Sequence, residues 1–335
     1  MSDNNQNGAG STPPQGQQSI TIEEGLSIAS QLQAGGRLGE AERIYRQILQ
    51  ADPTQPAALQ RLGVLAHLAG QSDVAINLIQ TAIANLPDYY AAYNNLGNVY
   101  RETDDLAAAV ASYQKAVEIK PDYFEAWNNL GLALTLLGRQ DEAAAAYRQA
   151  VSIQPDFADP HNNLGNILLQ QRQYSEAEAC YLEAINRRPD FVEAHCNLGA
   201  VLKLQGRLEE AINSFRKAIA IHPELADSHN KLGVALQKMG RLDEAEASYR
   251  QAITLQPGLA AAHSNLANAL EQLGRLEEAI ASYRRALEIQ PDYAEAAGSL
   301  GSVLLRLGKL AEGLAMEQEG FGVIRFDLEQ GVSLH

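Results

Sequence analysis

Apolar residues along the chain recur at spacings of three and four, the spacing that places them on one face of an α-helix. They come as two runs of a dozen or so positions, separated by a short polar break that usually contains glycine. The pair of runs then repeats along most of the chain. This pattern predicts pairs of amphipathic helices joined by tight turns.

The repeat has a period of 34 residues, marked by proline from Pro53 to Pro291. Proline cannot continue a helix, so it ends the second helix of each unit. Small residues such as Gly97 keep the same step and allow two helices to approach closely, with an aromatic residue such as Tyr113 beside them. Further glycines stand between the two helices, where a tight turn needs a residue without Cβ. They are Gly36, Gly70, Gly138, Gly206, Gly240, Gly274 and Gly308.

Acidic residues recur at the expected helix N-termini. An aspartate such as Asp88 or Asp190 follows most of the prolines, and we expect it to accept hydrogen bonds from the free amides of the next helix. Acidic pairs such as Glu209-Glu210 and Glu277-Glu278 occupy the first turn of the second helix. There they complement the helix dipole, so they are interpreted as structural rather than catalytic.

One unit carries an aromatic, Leu-Gly, Ala, aromatic, Ala and Pro, as Trp127, Leu130-Gly131, Ala143, Tyr147, Ala150 and Pro155. This order resembles the tetratricopeptide repeat family, and the resemblance runs from about residue 22 to about residue 319. It implies an all-α fold, a right-handed superhelical solenoid of antiparallel helix pairs in one continuous stack. We count eight full units and a partial ninth that would act as a cap. Their ranges are 22–55, 56–89, 90–123, 124–157, 158–191, 192–225, 226–259, 260–293 and 294–319.

The two ends of the chain differ from the repeats. Residues 1–19 are mostly Asn, Gln, Gly, Ser and Pro, a composition that cannot bury enough apolar surface to fold, so we predict a disordered tail. In residues 320–335, Ile324, Phe326 and Leu328 alternate with other residues as in a strand. Three alternatives stay open for this segment: docking on the ninth repeat, addition to a partner's sheet, or a flexible tail.

Charge and composition exclude several classes of partner. The chain has 26 Lys and Arg against 41 Asp and Glu, a formal charge of −15, which argues against nonspecific binding of nucleic acid and of anionic membranes. No apolar stretch approaches the ~20 residues of a spanning helix, and the N-terminus lacks the basic and apolar regions of a secretory signal. Two cysteines fit a reducing compartment. We therefore expect a cytoplasmic protein.

Histidines and cysteines are the candidate catalytic and metal-binding residues of this chain. Equivalent histidines recur at His161, His195, His229 and His263. Equivalent positions on packed helices lie roughly 8–10 Å apart, whereas zinc needs its nitrogen ligands about 2.0–2.1 Å away. The same slot holds Tyr93 and Trp127, so the histidines are interpreted as flat packing residues. Cys180 and Cys196 have no basic cluster beside them to stabilise a thiolate. We predict no enzymatic activity, no metal and no cofactor.

The resemblance implies that partners bind the concave face, formed by fixed positions of each first helix. Asparagines occupy three of these positions, and Asn can both donate and accept a hydrogen bond to the backbone of an extended peptide. The sixth position holds Asn95, Asn129, Asn163, Asn197 and Asn265; the fifth holds Asn94, Asn128, Asn162 and Asn230; the ninth holds Asn98, Asn166 and Asn268. The sixth position is similar to that in O-linked N-acetylglucosamine transferases, where such asparagines line the inner face and grip client peptides. Alternatively, the asparagines tie neighbouring repeats together.

The second position of the first helix is acidic in four consecutive repeats, at Glu125, Asp159, Glu193 and Asp227. We predict that these residues influence which peptides bind. Family members that clamp the carboxylate tails of chaperones need Lys or Arg at such positions. The acidic residues therefore argue against chaperone C-terminal tails as partners.

Two functional hypotheses follow from different classes. The first is a non-catalytic protein–protein interaction scaffold that binds extended segments of one or more partner proteins. The alternative is a substrate-recruiting subunit or fragment of a glycosyltransferase-type enzyme, although the residues after the repeats are too few for a catalytic domain. Recognition of single-stranded RNA by a helical repeat is opposed by the acidic charge. Self-association stays open.

Overall fold

The protein is described by a computed structural model that covers residues 20–321, 324–327 and 331–334. The helices alternate between a first helix of 13 residues and a second helix of 14 residues, except that the last helix has 12. They are α1 Ile22–Ala34, α2 Leu38–Ala51, α3 Pro56–Leu68, α4 Ser72–Asn85, α5 Tyr90–Glu102, α6 Leu106–Ile119, α7 Phe124–Leu136, α8 Gln140–Ile153, α9 Ala158–Gln170, α10 Tyr174–Arg187, α11 Val192–Leu204, α12 Leu208–Ile221, α13 Ala226–Lys238, α14 Leu242–Leu255, α15 Ala260–Gln272, α16 Leu276–Ile289, α17 Ala294–Arg306 and α18 Leu310–Phe321. The predicted all-α repeat fold is confirmed, and each first helix begins where the sequence pattern starts a unit.

The chain divides into two compact units, residues 1–139 and residues 140–335, and the continuous stack stays a prediction. The division falls between α7 and α8, inside the fourth repeat rather than between repeats. Within each unit every helix packs on the next. First helices of consecutive repeats also touch each other, as α3 touches α5 in the first unit and α11 touches α13 in the second. We infer that the first helices form the inner face of each unit.

The cores of the repeats depend on glycines that face aromatic rings. A Cβ at Gly97 would lie 2.6 Å from Cε1 of Tyr113, and one at Gly233 would lie 2.5 Å from Cε1 of Tyr249. Both tyrosines are fully buried. The predicted close approach of the two helices at these glycines is confirmed. At Ala267 the chain has a Cβ at the equivalent position, which is also fully buried.

The turns between paired helices adopt the left-handed backbone conformation predicted for glycine. The seven turn glycines have φ between +74° and +80°. Two repeats place other residues at this turn, Asp104 with φ +64° and Arg172 with φ +60°. Those two turns carry backbone strain that glycine avoids.

The predicted capping by the aspartates after proline is wrong. In α5 and α11 the N-cap residue is the following aromatic, Tyr89 or Phe191, and its side chain makes no capping hydrogen bond. Asp88 and Asp190 therefore lie one position too early for their carboxylates to reach the free amides. Asp88 instead accepts a bond from the amide of Tyr90 through its backbone carbonyl, at 2.9 Å.

A hairpin follows the last helix. Strand β1, Ile324–Asp327, pairs antiparallel with β2, Gly331–Leu334, so that Ile324 lies opposite Leu334. The alternatives for docking of this segment stay predictions. Residues 1–19, predicted to be disordered, and Leu328 lie outside the described residues. Among the helices that the structure describes, none combines the length and apolar character needed to cross a membrane.

Candidate functional site

Three of the five sixth-position asparagines, Asn129, Asn197 and Asn265, are hydrogen-bonded to the preceding repeat. In the first unit, Nδ2 of Asn129 donates to Oδ1 of Asn94 at 3.0 Å and approaches Oδ1 of Asn98 at 3.4 Å. The second unit repeats the arrangement. There, Nδ2 of Asn197 donates to Oδ1 of Asn162 at 3.0 Å and to Oδ1 of Asn166 at 2.9 Å, and Nδ2 of Asn265 donates to Oδ1 of Asn230 at 2.9 Å. Fifth-, sixth- and ninth-position asparagines are therefore connected from one repeat to the next.

Several fifth-position side chains lie in the protein interior and contact the neighbouring repeat. Asn94 is buried, and Asn162 is only 1% exposed. The amide nitrogen of Asn162 also donates to Oε1 of Glu193 in the next repeat, at 3.0 Å. In the sixth repeat Cys196 replaces the asparagine, and its sulfur lies 3.2 Å from Oγ of Ser228. At these positions the geometry favours the tie between repeats over direct contact with a ligand.

The ninth-position asparagines bind core tyrosines, a pairing that sequence reasoning missed. Tyr113 Oη donates to Asn98 Oδ1 at 2.7 Å, and Tyr181 Oη donates to Asn166 Oδ1 at 2.9 Å. Asn268 accepts the same bond from Tyr283. Each pair is separated by 15 residues, so the recurring Asn–Tyr spacing was a signal available in the sequence.

Some sixth-position side chains keep an acceptor that no described residue uses. Asn95, Asn129, Asn163, Asn197 and Asn265 are all half-buried, as are Asn128 and Asn230. Within the described residues, no donor reaches Oδ1 of Asn197 or Asn265. These oxygens are therefore able to accept hydrogen bonds at the inner face.

Most of the acidic second-position residues are engaged within the chain. Asp159 accepts a bond from Arg188 at 2.7 Å, and Asp227 forms an ion pair with Lys231 at 2.6 Å. Glu193 accepts the bond from Asn162, and Glu125 is exposed. Of the four acidic residues predicted to set specificity, Asp159, Glu193 and Asp227 thus already have partners in the folded chain.

The row of histidines makes a repeated backbone contact. Nε2 of His161 lies 2.9 Å from the carbonyl oxygen of Pro155, six residues earlier, and His195, His229 and His263 make the same contact with their own prolines. Trp127 donates its indole N–H to Pro121 in the same way. The packing role predicted for this slot is supported, and the hydrogen bond to proline is a detail that the sequence prediction lacked. No group of three or more His, Cys, Asp or Glu suited to a metal occurs among the described residues.

The two cysteines lie in surroundings that disfavour a thiolate. Burial raises the pKa of Cys180 to about 11 and also raises the pKa of Cys196. Both side chains therefore carry protonated thiols at neutral pH, which makes them poor nucleophiles.

Ion pairs join the turn of one repeat to the second helix of the preceding repeat. The acidic pairs, predicted to complement the helix dipole, therefore also lie beside arginines that connect repeats. Arg275 lies just before α16 and contacts Glu278 in its own repeat at 2.7 Å. It also contacts Glu246 of the preceding repeat at 2.7 Å. Arg207 forms the equivalent pairs with Glu210 and Glu178. The recurring Arg-Leu-acid-Glu sequence was the available signal.

One solved structure supports the helical-repeat fold, and two others match parts of this chain. A chain in the crystal structure of the APC/C hetero-tetramer Cut9-Hcn1 matches with a TM-score of 0.58 and 20% identity, covering 84% of this chain and 55% of that chain. The protein thus spans about half the length of that chain. A crystal structure of MamA matches with a TM-score of 0.44 and 26% identity, covering 48% of this chain and 95% of that one. YrrB, described as a TPR protein with an unusual peptide-binding site, matches with a TM-score of 0.48 and 22% identity, covering 59% and 98%.

Sequence-family comparisons give the family. A comparison with curated proteins finds no significant match. A family model described as the C-terminal domain of cilia and flagella-associated protein 70 matches residues 16–230, and a tetratricopeptide repeat model matches residues 230–294. Together with the helix pairs at a 34-residue period, these matches show that the chain belongs to the tetratricopeptide repeat family, as represented by the C-terminal domain of cilia and flagella-associated protein 70.

Proposed function

We propose that the protein is a non-catalytic scaffold that binds an extended segment of a partner protein along its first helices. Tetratricopeptide repeats generally mediate protein–protein interactions, and the proposal adds how this chain holds its partner. One observation supports this proposal. The nitrogens of Asn197 and Asn265 are held by the preceding repeat, while their oxygens have no donor among the described residues.

Anchoring the nitrogen prepares the oxygen for binding. A side-chain amide whose nitrogen already donates two bonds, as in Asn197, has lost most of its freedom to rotate. Its oxygen can then accept a peptide N–H at a small further cost in conformational entropy. The proposal therefore assigns the sixth-position asparagines as acceptors of backbone N–H groups. This role matches the grip on client peptides implied by the resemblance to O-linked N-acetylglucosamine transferases, and it adds no catalytic step.

The spacing of the repeats suits an extended backbone. Packed helices lie roughly 8–10 Å apart, and a strand advances about 3.3 Å per residue. Asparagines on consecutive first helices would therefore meet N–H groups about three residues apart. Because the contacts are to the backbone, we expect one groove to accept ligands of different sequence. In the seventh repeat, Lys231 interrupts this row.

Peptide display tests the proposal. The full chain is used to select binders from a library of random 12-residue peptides, and the affinity of selected peptides is measured for the Asn197→Ala/Asn265→Ala variant. Each lost bond to a neutral amide costs about 0.5–1.5 kcal/mol, so we expect binding to weaken by about 1–3 kcal/mol in total.

The matched control is Asn186→Ala/Asn213→Ala, which makes the same change at exposed positions of second helices. The control should bind like the unmodified chain. Equal affinities of both variants, with both shown to be folded by circular dichroism, would contradict the proposal.

A further inference from the structure

Cations on the inner face fall into two groups, those with an acidic partner and those without. Near the ends of the first helices, Arg306 pairs with Glu271, and Arg101 lies 3.5 Å from Glu102. Lys203 and Lys238 occupy the corresponding last turns of α11 and α13, but neither forms an ion pair with a described residue. In a chain with a formal charge of −15, two unpaired cations at the same end of neighbouring first helices are unexpected.

The two lysines belong to one cluster. Their helices, α11 and α13, touch each other, and Lys231 lies two turns before Lys238 on α13. Burial lowers the pKa of Lys203, and the positive charges of Lys238 and Lys231 lower it further. The charge of half-buried Lys203 is therefore held at an energetic cost in the unliganded protein. A negative group placed among the three would remove part of that cost.

The neighbouring carboxylates do not neutralise the cluster. Asp227 pairs with Lys231 alone, and Glu193 accepts the bond from Asn162. Both acidic residues lie in the first turns of their helices, whereas Lys203 and Lys238 lie in the last turns. The inner face of the sixth and seventh repeats is thus acidic but internally paired at one edge, and basic and unpaired at the other.

We propose that this basic edge binds an acidic side chain, Asp or Glu, of the partner's extended segment. Lys203 and Lys238 supply the charge, and Leu204, next to Lys203 and 54% exposed, supplies an apolar surface for a neighbouring aliphatic residue. The inference rests on the proposed peptide-binding function and adds a preference in ligand sequence. Charge complementarity of this kind contributes specificity more than affinity, which fits a groove that otherwise contacts the backbone.

The same display library tests this preference. Peptides selected by the unmodified chain should be enriched in an acidic residue next to an aliphatic one, and the Lys203→Gln/Lys238→Gln variant should still select peptides but without that enrichment. A selected acidic peptide should bind the variant about tenfold more weakly, the change expected for two solvent-screened ion pairs. Its affinity for the unmodified chain should also fall as salt is raised.

The control is Lys217→Gln/Lys309→Gln, which removes the same charge from exposed sites outside the first helices. It should retain the acidic enrichment. Peptide selection without acidic enrichment by the unmodified chain, or the same enrichment by the Lys203→Gln/Lys238→Gln variant, would overturn this inference and leave the proposed function standing. Failure of the unmodified chain to select any peptide would instead overturn the proposed function, and this inference with it.

Discussion

Two rows of polar contacts join consecutive repeats, the asparagines of the inner face and the ion pairs of the turns. The asparagine contacts are sheltered, since Asn162 is 1% exposed. The ion pairs are more solvated: in the pair that joins two repeats, the side chain of Arg275 is 39% exposed and that of Glu246 is 14% exposed. Contacts of similar length therefore contribute differently to the free energy of unfolding. A buried amide left without a partner costs free energy, whereas an exposed ion pair exchanges its contacts for water at little cost.

The two rows also differ in the role that we assign to them. Amide bonds on the inner face hold the repeats and, in the function that we propose, also orient acceptors for a ligand, so we expect a single asparagine to affect both stability and binding. Turn ion pairs, by contrast, involve only the second helices and the turns. Variants of the asparagines and variants of the ion pairs should therefore differ in their effects on both stability and peptide binding.

The largest loss of stability is expected where apolar packing, rather than either row, holds the helices. Gly233→Leu would force a side chain into Tyr249, since a Cβ alone lies 2.5 Å from its ring. Overpacking of this kind costs roughly 1–3 kcal/mol, occasionally more. A thermal unfolding midpoint measured by circular dichroism should fall clearly below that of the unmodified chain. An unchanged midpoint would mean that the helices do not cross closely at Gly233.

A smaller but clear loss is expected for Asn162→Ala. The change removes the acceptor of Asn197 and the donor to Glu193 in a buried position. Leaving a buried polar group unsatisfied costs about 1–3 kcal/mol, and part of this is recovered where Asn197 keeps its bond to Asn166. The thermal midpoint should fall, whereas that of Asn186→Ala, at an exposed site on the following helix, should not. Equal midpoints for the two variants would mean that the inner-face amides add no stability.

Arg275→Gln should have a weaker effect than Asn162→Ala, because the side chains of Arg275 and Glu278 are exposed to water, although that of Glu246 is only 14% exposed. Its effect on the thermal midpoint should also shrink when salt is raised, since salt screens exposed charges. The Asn162 variant should show no such dependence. A larger effect for Arg275→Gln at high salt would reverse the ranking of the two rows.

The smallest effect concerns acid. Hydrogen bonding to Arg275 lowers the pKa of Glu278 below its ordinary value of 4.5, and Arg207 does the same for Glu210. Because the folded-state pKa is the lower one, the stabilisation is present above the ordinary pKa and is lost as pH falls through the folded-state value. The midpoint difference between the unmodified chain and Glu278→Gln should therefore vanish in acid below that value. A difference that grows in acid would contradict the assignment.

Features that constrain the backbone were predictable from the sequence. Residues that must be small or must end a helix recur visibly at a fixed period, so the helix starts, the turn glycines and the glycine–tyrosine contacts were predicted correctly. The hydrogen-bond partners of side chains were harder to predict from the sequence. Asn98 with Tyr113, or His161 with Pro155, depend on how two helices are rotated against each other, which spacing alone does not give. Capping by Asp88 was wrong for a related reason: with α5 beginning at Tyr90, the N-cap is Tyr89, and the carboxylate of Asp88 stands one residue too early.

The central claim is that the sixth-position asparagines accept hydrogen bonds from the backbone of an extended ligand. N-methylation scanning tests it most directly: each backbone N–H of a display-selected peptide is replaced in turn by N–CH₃, and its affinity for the full chain is measured beside that of an alanine scan. We predict that methylation weakens binding sharply at positions about three residues apart, or about six residues apart where Lys231 interrupts the row, and that Asn197→Ala removes the sensitivity at one of them. Uniform tolerance of N-methylation, with affinity lost only in the alanine scan, would contradict the claim.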